Sequence, residues 1–175
     1  MLRIISDSER KTIQLGARLA HVLGKGDIIC LFGNLGAGKT ILTKGIAKGL
    51  GINKDNVISP SFVIIREYPL VSPSRKGKAS YCRAKAINSL YHFDLYRLNN
   101  PRDILNLGYE EYLYGEGVSV IEWAERMAGY LPAQYLKIQL GVKGDRQRAI
   151  KLVARGARYR ELLSELSKRY EYTRC

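Results

Sequence analysis

Residues 28 to 40 read Ile28-Ile29-Cys30-Leu31-Phe32 and then Gly33-Asn34-Leu35-Gly36-Ala37-Gly38-Lys39-Thr40, and they give the clearest indication of the fold class. The first five residues form a continuous apolar run, which is typical of a strand buried on both faces of a sheet. The next eight match the pattern G-x-x-x-x-G-K-[ST], and a helical pattern follows to about residue 50, where Gly51 closes it. A strand, a glycine-rich loop and a helix in this order predict an α/β fold of the P-loop class.

The glycine-rich loop predicts a phosphate site. Glycines let backbone N–H groups converge on phosphate oxygens, and the start of the following helix adds partial positive charge. In such a loop Lys39 is expected to reach the β- and γ-phosphates, and the Thr40 hydroxyl to coordinate Mg²⁺. A glycine-rich turn could match the pattern by accident, but the flanking strand and helix argue against it. Since Asn53-Lys54-Asp55-Asn56 lacks the Asp of a guanine-reading motif and comes too early, ATP is the expected nucleotide.

Two acids follow apolar strands and are candidates to complete this site. Asp94 comes after residues 90–93, and Glu122 after residues 118–121. Open α/β sheets bring the carboxyl ends of parallel strands to one edge, where a carboxylate is needed for Mg²⁺ and for the attacking water. The alternatives are a salt bridge from Asp94 to Arg97, and for Glu122 a charge at a helix start. His92 is interpreted as a strand residue that faces a neighbour.

The remaining pattern predicts one domain over residues 1–175 with a mixed sheet flanked by helices. Ser6 with Glu9 fits a capping box before a first helix. The other expected elements are strands at 57–58, 62–68, 90–96, 118–122, 135–142 and 149–153, short helices at 101–114 and 124–131, and an amphipathic helix at 159–170. Residues 69–89 contain five cations and no acid, which indicates a basic loop insertion.

Composition limits the functional classes. The formal net charge is +13 and the pI is near 9.8, which favours polyanionic partners but also fits a generically basic surface. No apolar run reaches the roughly 20 residues of a membrane span, and the N-terminus lacks a secretory pattern, so a cytoplasmic protein is expected. Cys30, Cys82 and Cys175 form no metal or disulfide pattern, and Cys30 is expected to be a buried thiol.

Four strings in order resemble one family. They are Leu35 to Thr40 (LGAGKT), Ser59 to Phe62 (SPSF), His92 to Leu98 (HFDLYRL) and Ile121 to Glu125 (IEWAE). Together they resemble the TsaE family, and the resemblance runs from about Ser6 to Leu163. It implies an ATPase that acts with TsaB and TsaD, where TsaD transfers threonylcarbamoyl to adenosine 37 of tRNA.

The resemblance also implies site residues. By position, Lys39, Asp94 and Glu122 are implied to be catalytic, Thr40 and Glu122 to hold the metal, and Ser59, Pro60, Ser61 and Phe62 to form a switch-like loop. The implied nucleotide contacts are Thr12, Asn34, Leu35, Gly36, Ala37, Gly38, Lys39, Thr40, Ile41 and Arg148. The sequence departs from the family at Ser61 and Ile41, where Thr is usual, and at Ala124, where Pro is usual.

Two other functions stay open from the sequence. A P-loop chain of this size could be a small-molecule kinase, although no acceptor-binding signature accompanies the loop. It could also be a basic nucleic-acid-binding protein whose P-loop acts only as a switch, with the twelve tyrosines offering surfaces for base stacking. Tyrosines at such spacings more often fill half-buried strand positions. The basic insertion could contact tRNA or a protein partner.

Overall fold

The computed structural model describes residues 1–60, 63–70 and 87–170, and these build one mixed sheet with helices against both faces. The strands are β1 (Leu2–Ser6), β2 (Ile28–Phe32), β3 (Ile65–Pro69), β4 (Ser89–Asp94), β5 (Val118–Glu122), β6 (Tyr135–Val142) and β7 (Arg148–Arg155). The α-helices are α1 (Glu9–Ala20), α2 (Lys39–Gly49), α3 (Tyr109–Leu113) and α4 (Ala157–Tyr170), and 3₁₀ helices cover Lys54–Asn56, Pro101–Leu107 and Ala124–Met127. The predicted fold class is confirmed.

The strand order places the ends of three strands at one edge of the sheet. The order is β1-β7-β6-β2-β5-β4-β3. β6, β2, β5 and β4 are mutually parallel, whereas β1, β7 and β3 pair antiparallel with their neighbours. Because parallel strands end at the same edge, the chain leaves β2, β5 and β4 side by side. The register sets Asp94 opposite Glu122, and Glu122 opposite Leu31.

The central strand β2 joins two cores, as its continuous apolar run predicted. Ile29 and Leu31 belong to a core shared with α1, α2 and α4. Ile28 and Cys30 point to the other face and pack under Pro101–Leu107, α3 and Ala124–Met127. Each fully buried aliphatic side chain contributes about 1.5–3 kcal/mol. The strand that leads into the glycine-rich loop is therefore firmly anchored. Burial also raises the pKa of the Cys30 thiol, in agreement with the expected buried cysteine.

The start of α1 differs from the predicted capping box. Ser6 is the last residue of β1, where it pairs with Arg148, and the N-cap is Ser8, whose hydroxyl accepts a bond from the Lys11 amide at 3.4 Å. The sequence did not indicate β1, because its short apolar run gives no clear alternation. Since β7 holds the chain extended as far as Ser6, the helix begins later than the pattern suggested.

Three further predictions need correction or lie outside the described residues. Val57 and Ile58 form no strand, and β3 begins only at Ile65, because Ile64 has a left-handed φ of 65° that interrupts extended pairing. The helix predicted at 124–131 is a 3₁₀ helix of four residues. Most of the predicted insertion, residues 71–86, lies outside the described ranges. At its border Leu70 N donates to Asn88 O at 2.7 Å, so the segment connects the antiparallel strands β3 and β4.

No helix in the described ranges combines the length and the apolar character needed to span a membrane.

Glycines bring α1 and α2 into backbone contact. A Cβ built on Gly45 would lie 2.4 Å from the Ile13 carbonyl oxygen, and one on Gly16 would lie 2.5 Å from the Leu42 carbonyl oxygen. Real Cβ atoms do not approach backbone oxygens so closely. This contact sets the distance between α1, which carries Thr12, and α2, which begins at Lys39.

We expect Gly45→Ala to destabilise the fold. Alanine gains about 1 kcal/mol in helix propensity over glycine. Forcing the two backbones apart costs about 1–3 kcal/mol or more, and the clash with the Ile13 carbonyl puts this site at the upper end. The net result should be a lower free energy of unfolding in urea. Gly141→Ala on β6 is the matched control, because a Cβ there would meet no atom within 4 Å. Equal stability of the two variants would contradict this account of the helix contact.

Candidate functional site

The glycine-rich loop, residues 33–40, leaves the end of β2 and enters the first turn of α2. Gly33, Gly36 and Gly38 have positive φ angles of 141°, 74° and 99°. Gly38 is the N-cap of α2 and carries no side chain that could cap the helix. The first N–H groups of a helix lack intrahelical acceptors, and this end of α2 therefore offers donors and partial positive charge. The arrangement suits an anion such as a phosphate group.

Lys39 lies folded against its own loop. Its Nζ donates to the carbonyl oxygens of Gly33 at 2.6 Å and Asn34 at 3.0 Å, and it sits 3.5 Å from the centroid of the Trp123 ring. Burial lowers the pKa of Lys39, and the charges of Glu122, Glu125 and Asp94 oppose that shift. Trp123 has a left-handed φ of 59°, which is uncommon for a bulky residue and turns the indole toward the lysine.

Glu122 is buried at the end of β5, and three side chains lie within hydrogen-bonding distance of its carboxylate. The Thr40 hydroxyl donates to Oε2 at 2.8 Å, the Thr43 hydroxyl contacts Oε1 at 3.0 Å, and Nε2 of His92 lies 2.7 Å from Oε1. A buried carboxylate is costly unless it is paired or hydrogen-bonded, and these three donors offset that cost. The structure thus joins Glu122 to the first turn of α2, directly after the glycine-rich loop.

Asp94 is buried beside Glu122 at the end of β4. Its Oδ1 accepts from the backbone N–H of Tyr96 at 3.0 Å, and its Oδ2 accepts from the hydroxyl of Ser59. Pro60 follows, and its carbonyl oxygen accepts from the amides of Val63 at 2.9 Å and Ile64 at 2.6 Å. Ser61 and Phe62 of the predicted switch-like loop lie outside the described residues. The first half of that loop therefore touches one of the two predicted acids.

The loop separates two clefts. One has a volume of about 480 Å³ and is lined by Leu35, Gly36, Gly38, Lys39, Thr40, Ile41, Ser59, Asp94, Tyr96, Arg97, Glu122 and Trp123. The other has a volume of about 360 Å³ and is lined by Ser8, Glu9, Thr12, Gly36, Gly38, Ile41, Asp145, Arg146 and Arg148. We refer to them as the acid-side cleft and the arginine-side cleft. Apart from Pro60, which follows Ser59 and lines neither cleft, all predicted site residues in the described ranges line one of the two clefts or belong to the loop between them.

Thr12 and Arg148 both line the arginine-side cleft, but only Arg148 contacts the loop. Nη2 of Arg148 donates to the Gly36 carbonyl oxygen at 3.2 Å, so this side chain reaches from β7 to the loop. The Thr12 hydroxyl is buried and lies 2.8 Å from the Ser6 hydroxyl. Leu35, in contrast, is 73% exposed at the tip of the loop, and Ala37 is buried under it.

Thr43 and His92 were not predicted as site residues. Thr43 follows Thr40 by three positions and Lys39 by four, so on a helix it shares their face, and this spacing was the available signal. His92 precedes Asp94 by two residues, which puts both on the same face of β4. The contact of each residue with Glu122 depends on how α2 packs against β4 and β5, and this packing cannot be predicted from the local sequence.

The oxygen donors of the acid-side cleft suit a hard divalent cation. The described residues contain no group of three or more His, Cys, Asp or Glu side chains placed to hold a metal ion by themselves. Mg²⁺ in phosphate sites uses one or two carboxylates and takes its other ligands from water and phosphate. One hydroxyl and one or two carboxylates beside a phosphate loop fit that requirement.

Comparisons with known proteins identify the family of the chain. The family described as "Threonylcarbamoyl adenosine biosynthesis protein TsaE" matches residues 6–150. The chain belongs to the TsaE family. A TsaE protein of Bacillus subtilis is 39% identical over 167 residues, covering 95% of this chain and 92% of the relative, and a TsaE protein of Treponema pallidum is 37% identical over 149 residues, covering 85% and 98%. The crystal structure of Bacillus subtilis YdiB superposes with a TM-score of 0.73 at 34% identity, covering 96% of this chain and 95% of that one. The P-loop nucleotide-binding fold is thus shared with a solved structure.

Proposed function

We propose that this chain binds ATP with Mg²⁺ at the glycine-rich loop, hydrolyses it, and thereby supports threonylcarbamoyladenosine formation on tRNA together with TsaB and TsaD. One observation carries the proposal of hydrolysis. The Thr40 hydroxyl and the Glu122 carboxylate meet at 2.8 Å, next to the loop that carries Lys39. A hydroxyl and a carboxylate in contact beside a phosphate cradle are the protein ligands that an Mg²⁺–nucleotide complex needs.

Each residue of the acid-side cleft has a proposed role. Lys39 leaves the loop carbonyls and binds the β- and γ-phosphate oxygens, while the backbone N–H groups from Asn34 to Ile41 surround the phosphates. Thr40 and Glu122 hold the metal, which when bound neutralises charge that develops on the phosphates. Asp94 orients the attacking water or contacts the metal through water, and Ser59 holds Asp94 in place.

The arginine-side cleft is proposed to take another part of the nucleotide. Arg148 already contacts the loop at Gly36, and Thr12 lines the same cleft. A cation and a hydroxyl at one side of a phosphate loop suit the ribose or the α-phosphate of ATP. We also propose that the protein is located in the cytoplasm. Through the complex with TsaB and TsaD it would lie near tRNA, and its net charge of +13 favours the approach of this polyanion.

The proposal is tested by ATP hydrolysis with and without TsaB and TsaD. We expect slow turnover by the isolated chain, faster turnover when both proteins are present, and none from Lys39→Ala in either condition. Lys48 is exposed on the same helix, and Lys48→Ala is the control for the loss of a lysine. A rate of ATP hydrolysis that is the same with and without TsaB and TsaD would contradict the proposed action in a complex with these proteins. Phosphate transfer to a small acceptor would favour the kinase alternative.

A further inference from the structure

The two oxygens of Glu122 have different surroundings. Oε2 accepts from Thr40, the residue proposed to hold the metal. Oε1 is held from the other side by Thr43 at 3.0 Å and by His92 at 2.7 Å, and both of these residues are fully buried. One oxygen is thus turned toward the loop, and the other is held by two residues that line neither the acid-side cleft nor the arginine-side cleft.

His92 has a single hydrogen-bonding partner within the described residues. Nε2 contacts Glu122, whereas Nδ1 is buried without a hydrogen-bond partner there. A proton on Nδ1 would leave a buried N–H without an acceptor and the Glu122 oxygen without a donor, which is unfavourable on both counts. The surroundings therefore select the tautomer with the proton on Nε2, which donates to the carboxylate.

Thr43 complements His92 from the helix. Its hydroxyl lies 3.1 Å from the Lys39 carbonyl oxygen and 3.0 Å from Oε1 of Glu122, so it is placed between the start of α2 and the end of β5. The Thr43 hydroxyl has one proton for these two acceptors, and hydrogen bonds to a carboxylate are stronger than those between neutral groups, so Oε1 is the favoured acceptor. Together with His92, this places two donors on one oxygen, which restricts the rotation of the carboxylate. Strand β4, strand β5 and helix α2 are joined at this one oxygen.

We infer that His92 and Thr43 are positioning residues that clamp Oε1 of Glu122 and thereby direct Oε2 to the metal. They touch neither nucleotide nor metal and act only through the carboxylate. The inference rests on the proposed function of Glu122. His92 and Thr43 add to that function because they keep the Glu122 carboxylate in one orientation.

Paired variants test the clamp. His92→Leu and Thr43→Val remove one donor each at similar volume, while His92→Gln and Thr43→Ser retain a donor. Loss of such an outer partner typically lowers activity or metal affinity about 10- to 100-fold. We expect His92→Leu and Thr43→Val to lower kcat and raise the Mg²⁺ concentration needed for half-maximal binding of an ATP analogue, with little change in KM for ATP. His92→Gln and Thr43→Ser should keep kcat and the Mg²⁺ concentration for half-maximal binding close to the wild-type values. Thermal unfolding of all four variants identifies any that fail to fold.

A second readout needs neither nucleotide nor activity. The chain has only two histidines, His21 and His92, so ¹⁵N NMR of the rings can be assigned with His21→Gln. We expect His92 to carry its proton on Nε2, and we expect Glu122→Gln to change its ring nitrogen shifts. A proton on Nδ1 in the wild type would overturn the clamp, as would unchanged kcat and Mg²⁺ dependence in a folded His92→Leu variant. If the wild type binds no ATP, the proposed function fails, and the NMR result still decides whether the clamp exists.

Discussion

Glu122→Gln is expected to lower ATP hydrolysis at least about 100-fold while part of the nucleotide affinity remains, a loss similar to that from removing one preorganised electrostatic group in other enzymes. The side chain keeps its size but loses its charge. It also turns an NH₂ group toward Thr40 or toward the pair Thr43 and His92, so a side chain that donates to the carboxylate must change its role or lose its hydrogen bond. Binding should persist because Lys39 and the loop backbone are unchanged. Single-turnover hydrolysis and equilibrium binding of ATP measure the two effects separately.

The matched variant for this prediction is Asp94→Asn. Asp94 accepts from Ser59 and from the Tyr96 amide, whereas Glu122 is the acid that accepts from Thr40. We therefore expect Asp94→Asn to slow hydrolysis less than Glu122→Gln. Full turnover by Glu122→Gln or Glu122→Ala would overturn the assignment of Glu122 as the metal-site carboxylate, and a larger loss from Asp94→Asn would transfer that role to Asp94.

Lys39→Ala is expected to abolish productive ATP binding. Truncating one side of a desolvated charge pair costs about 2–5 kcal/mol, which corresponds to a loss of affinity of roughly 30- to 5,000-fold. In the structure the Lys39 ammonium is satisfied by the Gly33 and Asn34 carbonyls, and phosphate oxygens would replace these neutral acceptors by charged ones. Isothermal titration of Mg²⁺–ATP into the wild type and the variant measures the loss.

Trp123 provides an independent signal for the same variant. It is the only tryptophan of the chain, and the Lys39 ammonium lies over its ring. If Lys39 moves to the phosphates on binding, the fluorescence of Trp123 should change when ATP is added to the wild type and stay constant in Lys39→Ala. Equal affinity of both proteins for ATP would show that the nucleotide does not use the loop lysine.

The sequence predicted the parts of the site that depend on local order along the chain. The pattern from Gly33 to Thr40 needs only a strand before it and a helix after it, and both are present. Asp94 and Glu122 were found because each ends an apolar strand, and parallel strands share their carboxyl edge. The register that sets these two acids opposite each other agrees with that argument.

The parts that the sequence did not predict depend on tertiary packing. Thr43 and His92 come from α2 and β4 and meet only because both elements pack beside the end of β5. The left-handed conformation of Trp123 has no glycine or asparagine to indicate it, yet it brings the indole to Lys39. Likewise, the N-cap of α1 is Ser8 and not the predicted Ser6, because β1 pairs with β7 as far as Ser6. This pairing joins residues more than a hundred positions apart, so the local sequence does not indicate it.

A crystal structure with Mg²⁺ and a non-hydrolysable ATP analogue would show directly whether the glycine-rich loop and Glu122 bind the metal–nucleotide complex. We expect triphosphate oxygens on the backbone N–H groups of residues 34–41, with Lys39 Nζ moved from the carbonyls of Gly33 and Asn34 to the phosphates. We also expect Thr40 and Oε2 of Glu122 to lie at the metal while Thr43 and His92 still hold Oε1. A nucleotide bound elsewhere, or a metal held without Glu122, would contradict the proposed site.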